Sequence, residues 1–191
     1  MTISTDDVIA KVTASAFGQP LVTNVMRGHV VEAMIALALE PEWRWCSGDY
    51  AAWDFERADG LRMEVRQSAY QQSWVHAPHV KISRRFDIEP REYAWEGAYR
   101  KELTGRAAHV YVFAYHDVRD GTADQRDPGQ WAFYVVPTTT LPDQKSIALN
   151  KLQMLTSPTG LEGLLEITRR LLPLSASGRQ NVGEHAASLL R

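Results

Sequence analysis

Asp54 and Glu64 are the residues whose types and spacing best suit joint chemistry. They fall in two short stretches, 50–57 and 61–68, whose side chains alternate between apolar and charged with a period of two. In the second stretch Leu61, Met63 and Val65 alternate with Arg62, Glu64 and Arg66; in the first, Trp53 and Phe55 alternate with Asp54 and Glu56. Each stretch reads as a strand with one apolar and one charged face. Ala58-Asp59-Gly60 joins them. A two-residue turn at Asp59-Gly60 would pair Asp54 with Val65 and set a carboxylate on the apolar face. A three-residue turn with Gly60 left-handed pairs Asp54 with Glu64 and Phe55 with Met63. Only the second keeps both faces consistent.

Opposed residues on one face have Cβ atoms about 4.5–5.5 Å apart. Two carboxylates at that range repel unless a cation lies between them or one takes a proton. Hard oxygen ligands of this kind suit Mg²⁺ or Mn²⁺. Such an ion polarises a phosphodiester and activates a water. Glu32 joins this set as the only charged residue within 28–39, an otherwise apolar run that a helix could aim at the same point. The alternatives are a cross-strand salt-bridge ladder of Asp54, Glu56, Arg62, Glu64 and Arg66, and a Glu32 that faces water.

Several elements must position these residues. Residues 5–17 read as a short helix with Thr5 as N-cap ahead of Asp6 and Asp7. A longer helix follows over 21–40, stopped by Pro41. WRW at 43–45 reads as a short strand, 79–86 as another, and 89–104 as a helix. Residues 108–117 and 131–138 are the most apolar β-like runs and are expected as central strands. A polar loop at 118–130 separates them. A last helix over 159–172 carries leucines at helical spacing. The expected class is α/β, a mixed sheet with helices on both faces, formed as a single domain over 1–175, with a weakly structured tail at 176–191.

Composition limits the function classes. The 191 residues, 45% hydrophobic and 23% charged, suit one ordinary globular domain. With Cys46 the only cysteine, neither an internal disulfide nor a cysteine-based zinc site can form, and a reducing, cytoplasmic setting is expected. No apolar run is long enough for a membrane span, and no membrane partner is expected. The N-terminus lacks the pattern of a signal peptide. A net charge of −2 argues against coating nucleic acid by bulk electrostatics, although Arg84, Arg85, Arg91, Arg100, Lys101 and Arg106 lie close together in sequence.

The spacing of Asp54, nine residues, then Glu64-Val65-Arg66 resembles the signature of the PD-(D/E)XK nucleases. The run GLRMEVRQSAYQQSW at 60–74, WAFYVVPT at 131–138 and DQKSI at 143–147 resemble an uncharacterised bacterial branch of that superfamily, over roughly residues 21–170. The resemblance implies a restriction-endonuclease-like fold and a divalent-metal-dependent DNA endonuclease. Asp54 and Glu64 would bind Mg²⁺ or Mn²⁺, the Val65 carbonyl would complete the sphere, and Glu32 would match a helical carboxylate. Gln72 would match a polar residue beyond the motif. Arg66 departs from the family's lysine. Arginine keeps its proton and cannot act as a general base, but it can hold a phosphate. The alternative is a degenerate nuclease fold acting as a nucleic-acid-binding or assembly subunit. The resemblance allows a homodimer or a helper protein.

Trp74, Lys81, Arg84 and Arg85 are the expected nucleic-acid contacts. Lys81 is also a candidate for a relocated lysine, with Lys145 behind it. His76 and His79 with Asp87 lack a further zinc ligand at proper spacing. His116-Asp117 reads as an ordinary strand end.

Overall fold

The computed structural model describes residues 2–46, 52–74, 84–96 and 99–173. The expected strand at 79–83, Lys81, His76, His79 and the tail at 176–191 lie outside those residues.

The centre is a five-stranded mixed sheet in the order β1-β2-β3-β7-β8, formed by β1 (Trp43–Trp45), β2 (Phe55–Arg57), β3 (Arg62–Ala69), β7 (Val110–His116) and β8 (Trp131–Pro137). Only β3 and β7 run parallel; the other neighbours are antiparallel. The register couples the strand alternation into two faces. One carries Phe55, Met63, Val65, Val112, Ala114, Phe133 and Val135 and is covered by α2 (Asn24–Leu39) and α4 (Leu164–Leu171). The other carries Tyr111, Phe113, Tyr115, Tyr134 and Val136. It is covered by α3 (Leu149–Leu155) and a small sheet of β4 (Arg85–Asp87) with β9 (Ser146–Ala148). The mixed α/β class and the helices on both faces are as expected.

α2 packs because Val31, Met34, Ile35 and Leu39 recur at helical spacing and are buried. α1 (Thr5–Phe17) buries none of its residues. Its N-cap is Ser4 rather than the expected Thr5: the Ser4 hydroxyl accepts from the Asp7 N–H while the Asp7 carboxylate accepts from the Ser4 N–H, a reciprocal capping box.

Three expectations need correction. Residues 89–104 form not a helix but an antiparallel ribbon of β5 (Arg91–Glu96) and β6 (Tyr99–Gly105), paired with no other strand among the described residues. Pro90 blocks a helical ladder upstream, and Tyr93, Trp95, Tyr99 and Thr104 favour extended backbone. β8 is an outer strand rather than a central one. It is apolar because helices cover both its faces, and Thr159 bridges to Phe133 along its edge. The last helix is shorter than expected, since Leu161–Gly163 form a 3₁₀ turn before α4.

Candidate active site

The hairpin has the three-residue turn that facial consistency demands. Phe55 pairs with Met63 and Glu56 with Arg62, and Gly60 adopts φ +83°, a left-handed backbone that favours glycine. The Arg57 N–H donates to Leu61 O at 2.8 Å and the Gly60 N–H to Arg57 O at 2.9 Å. The paired register ends at Phe55 and Met63; Asp54 precedes the strand, and it lines one cleft together with Glu64. Asp54 is fixed by its own backbone, with its N–H on Met63 O (2.9 Å) and its carbonyl accepting from the Cys46 N–H (3.0 Å). Its carboxylate accepts from the Val65 N–H at 2.7 Å. Arg57 anchors the far end of the hairpin. Buried on the apolar face, it grips Asp59 with two nitrogens and donates to Leu172 O, joining the turn to the end of α4.

Asp54, Glu64 and Arg66 open into one cleft of about 620 Å³, whose lining also includes Arg91, Arg106 and Tyr111. Glu64 is only 8% exposed and pairs with Arg66 (Nη2 to Oε1, 2.5 Å). Burial pushes the Glu64 carboxyl up to about 8; Arg66 and Arg91 oppose the shift, while Asp54 and Glu32 add to it. Arg66 is itself held above the ordinary guanidinium value: burial works against its charge, but Glu64, Asp54, Tyr111 and Asp87 outweigh it. Its Nη1 donates to the Val65 carbonyl at 3.3 Å and its Nε to Asp87 O at 3.2 Å. The guanidinium therefore stands against the Glu64 carboxylate and the Val65 carbonyl, two of the three oxygens expected to bind a metal.

The donor set remains chemically suited to a hard cation. Two carboxylates, Asp54 and Glu64, line the cleft, and burial makes Glu64 hold its proton more tightly than usual. Magnesium commonly takes only one or two protein carboxylates with waters. Among the described residues, no three His, Cys, Asp or Glu side chains form a group that could hold a metal ion.

Glu32 lies on α2, over the apolar face, where its carboxylate accepts from Trp45 Nε1 at 3.0 Å. It lines no part of the cleft, although its charge is felt at Glu64. The salt-bridge ladder exists in part: Glu56 pairs with Arg44 at 3.0 Å and with Arg62 at 3.7 Å. Arg62 also lies over the Trp53 ring at 3.7 Å.

Gln72 is not brought to this cleft. Its Oε1 accepts from buried Arg27 at 2.9 Å, and its Nε2 donates to Ala69 O. Trp74, Arg84 and Arg85 also lie outside the cleft lining. Trp74 is exposed, Arg84 sits over the Tyr70 ring at 5.3 Å, and Arg85 is tied to the Ser146 hydroxyl at 2.8 Å. Lys145 pairs with Glu89 at 2.7 Å. His116 is buried edge-on against Trp131, its Nε2 3.0 Å from Gln130 Oε1, as befits a structural strand end.

Tyr111, Arg91 and Arg106 complete the cleft without having been expected there. The parallel register sets Tyr111 beside Glu64, and burial pushes its phenol up to about 12, with Glu64 adding. Arg106 donates to the carbonyls of Ile88 and Pro142, both at 2.7 Å. The apolar, β-like run at 108–117 was the signal that Tyr111 lies on a strand. The pairing of that run with β3, which brings it to Glu64, is not written in either strand alone.

No protein-family model and no curated protein matches the chain. No helix among the described residues is long and apolar enough to cross a membrane.

Proposed function

We propose that this chain is a divalent-metal-dependent nuclease acting on DNA, with Asp54 and Glu64 as ligands of Mg²⁺ or Mn²⁺. One observation carries the reading: the Asp54 and Glu64 carboxylates line one cleft beside the β2–β3 hairpin, where burial holds the Glu64 carboxyl well above its ordinary value. The likeness of Asp54…Glu64-Val65-Arg66 to the PD-(D/E)XK signature points the same way, and the mixed α/β sheet is compatible with the restriction-endonuclease-like fold. A metal bound there would polarise the scissile phosphodiester and lower the pKa of a bound water.

The chain's own residues supply the rest. Asp54 is oriented by the Val65 N–H, which donates to its carboxylate. Arg66 must turn from Glu64 toward the phosphate. Always charged, it stabilises negative charge there but takes no proton from water. Arg91 and Arg106 line the cleft beside Arg66 and offer donors to a phosphate backbone, among Glu89 and Glu92 of the same lining. Tyr111 walls the buried side beside Glu64 and excludes bulk water.

A second reading has its own observation. Arg66 already provides the cation for Glu64, so the same cleft suits a catalytically silent protein that binds nucleic acid or helps assemble a complex. Supercoiled plasmid incubated with the protein and Mg²⁺ or Mn²⁺ separates the two. Nicking that disappears in Asp54→Ala supports the nuclease; plasmid binding without nicking in any metal supports the silent form.

A further inference from the structure

The ribbon β5–β6 contributes no described side chain to either hydrophobic cluster of the core. It pairs only with itself among the described strands, and Arg91–Tyr93 and Tyr99–Glu102 are exposed. A two-stranded hairpin is at best marginally stable on its own in water, so one this exposed is better explained by what it contacts than by what it supports. Two of its tyrosines are exposed, Tyr99 by 80% and Tyr93 by 45%. The Arg100 guanidinium lies 4.0 Å over the Tyr93 ring, a flat cationic layer on a flat aromatic one. The root of the ribbon is continuous with the cleft, where Arg91, Tyr93 and Leu103 line the same space as Asp54 and Glu64.

We infer that this ribbon is a stacking arm for unpaired nucleotides, which leads a single-stranded stretch of nucleic acid into the cleft. The inference rests on the reading of the cleft as a nucleic-acid site and names the form of its substrate. Charge decides between single strand and duplex. Within 91–105 the basic residues Arg91, Arg100 and Lys101 are matched by Glu92, Glu96 and Glu102. A ribbon without net charge gains little from the counterion release that drives duplex binding. It does offer aromatic faces and a guanidinium plane, on which any unpaired base can stack.

The test uses the whole chain and a fluorescein-labelled oligonucleotide of about 20 nucleotides, alone or annealed to its complement, with fluorescence anisotropy in EDTA. The single strand is expected to bind at least about 10-fold more tightly than the duplex. Tyr99→Ala and Arg100→Ala are each expected to weaken single-strand binding by about 5-fold or more, while Tyr99→Phe stays near wild type because it keeps the ring. Tyr99 is so exposed that its replacement leaves the fold intact, which circular dichroism checks. Equal affinity for both forms, binding of neither, or wild-type affinity in folded Tyr99→Ala and Arg100→Ala overturns the inference. Chelation keeps this readout apart from the nicking assay. Ribbon-dependent binding without nicking in metal removes the nuclease and leaves the arm; nicking with ribbon-independent binding does the reverse.

Discussion

Two guanidinium groups sit close to β3, and they live in opposite ways. Arg27, from α2, is 2% exposed and meets only neutral oxygens: Gln67 at 2.6 Å, Asn24 at 2.7 Å and Gln72 at 2.9 Å. Burial alone drags it down to about 10. Arg66, on the other face of the sheet, meets Glu64 directly and feels Asp54, and the balance of charge raises it. Each of the three Arg27 nitrogens donates to a neutral side-chain oxygen. Arg66 lines an open cleft beside two carboxylates, and burial raises the pKa of one of them, Glu64. A closed polar network holds a fold together; an open one with unbalanced charge is suited to taking up a ligand.

The sharpest way to separate the two sites is Arg66→Lys. If arginine limits a working site, plasmid nicking should rise by about 10²–10³-fold, the scale at which one well-placed group acts on a developing charge. Gel quantification of nicked circles reads it, and an unchanged rate assigns the cleft to the silent form. Next in size is Arg27→Met, which strands the amides of Gln67, Gln72 and Asn24. Unsatisfied buried polar groups cost about 1–3 kcal/mol each, so a total loss on the order of 3 kcal/mol is expected. Tm should fall by roughly 6–12 °C. Arg66→Met should cost clearly less, because Glu64 can hold a proton in place of its partner. Equal losses would erase the contrast between the sites.

A pH-dependent effect follows from Glu64. Its folded pKa is raised, so the folded chain binds the proton more tightly than the unfolded chain does. That contribution is fully present below the ordinary glutamate value and is lost as pH climbs to about 8. Thermal melts of the wild type should therefore weaken across that window, and Glu64→Gln should flatten the slope. A slope unchanged in Glu64→Gln would show that Glu64 is not the group responsible. The smallest effect belongs to Glu56→Ala, which removes the exposed ladder beside the site. It should shift stability by no more than about 0.5 kcal/mol and leave nicking untouched.

The hairpin was legible in the sequence because its physics is local. Alternation over 50–57 and 61–68 and one glycine able to take a positive φ allow a single register with consistent faces, and that register forms at Phe55–Met63 and Glu56–Arg62, although β2 is only Phe55–Arg57 long. The ribbon was not legible: Arg91–Gly105 mixes charges and aromatics without a clean period, and it lacks a core to impose one. The apolarity of 131–138 signalled burial on both faces but not position in the sheet, since helices can cover an outer strand as fully as a neighbour covers a central one. Gln72 follows the motif closely in sequence, yet beyond Ala69 the chain leaves β3 and Gln72 turns to Arg27 on the apolar side. Arg91 and Arg106 reach the cleft through tertiary placement alone.

The central claim is that Asp54 and Glu64 converge on a place for a cation. Titration of Mn²⁺ against thermal melting, in wild type and Asp54→Ala at pH 8, tests it most directly. A ligand at about 100 times its Kd adds about 2.7 kcal/mol to the folded state. The wild type should therefore gain roughly 5–10 °C in Tm while Asp54→Ala gains nothing. Equal gains in both proteins, or none in the wild type or in Arg66→Lys, would contradict it.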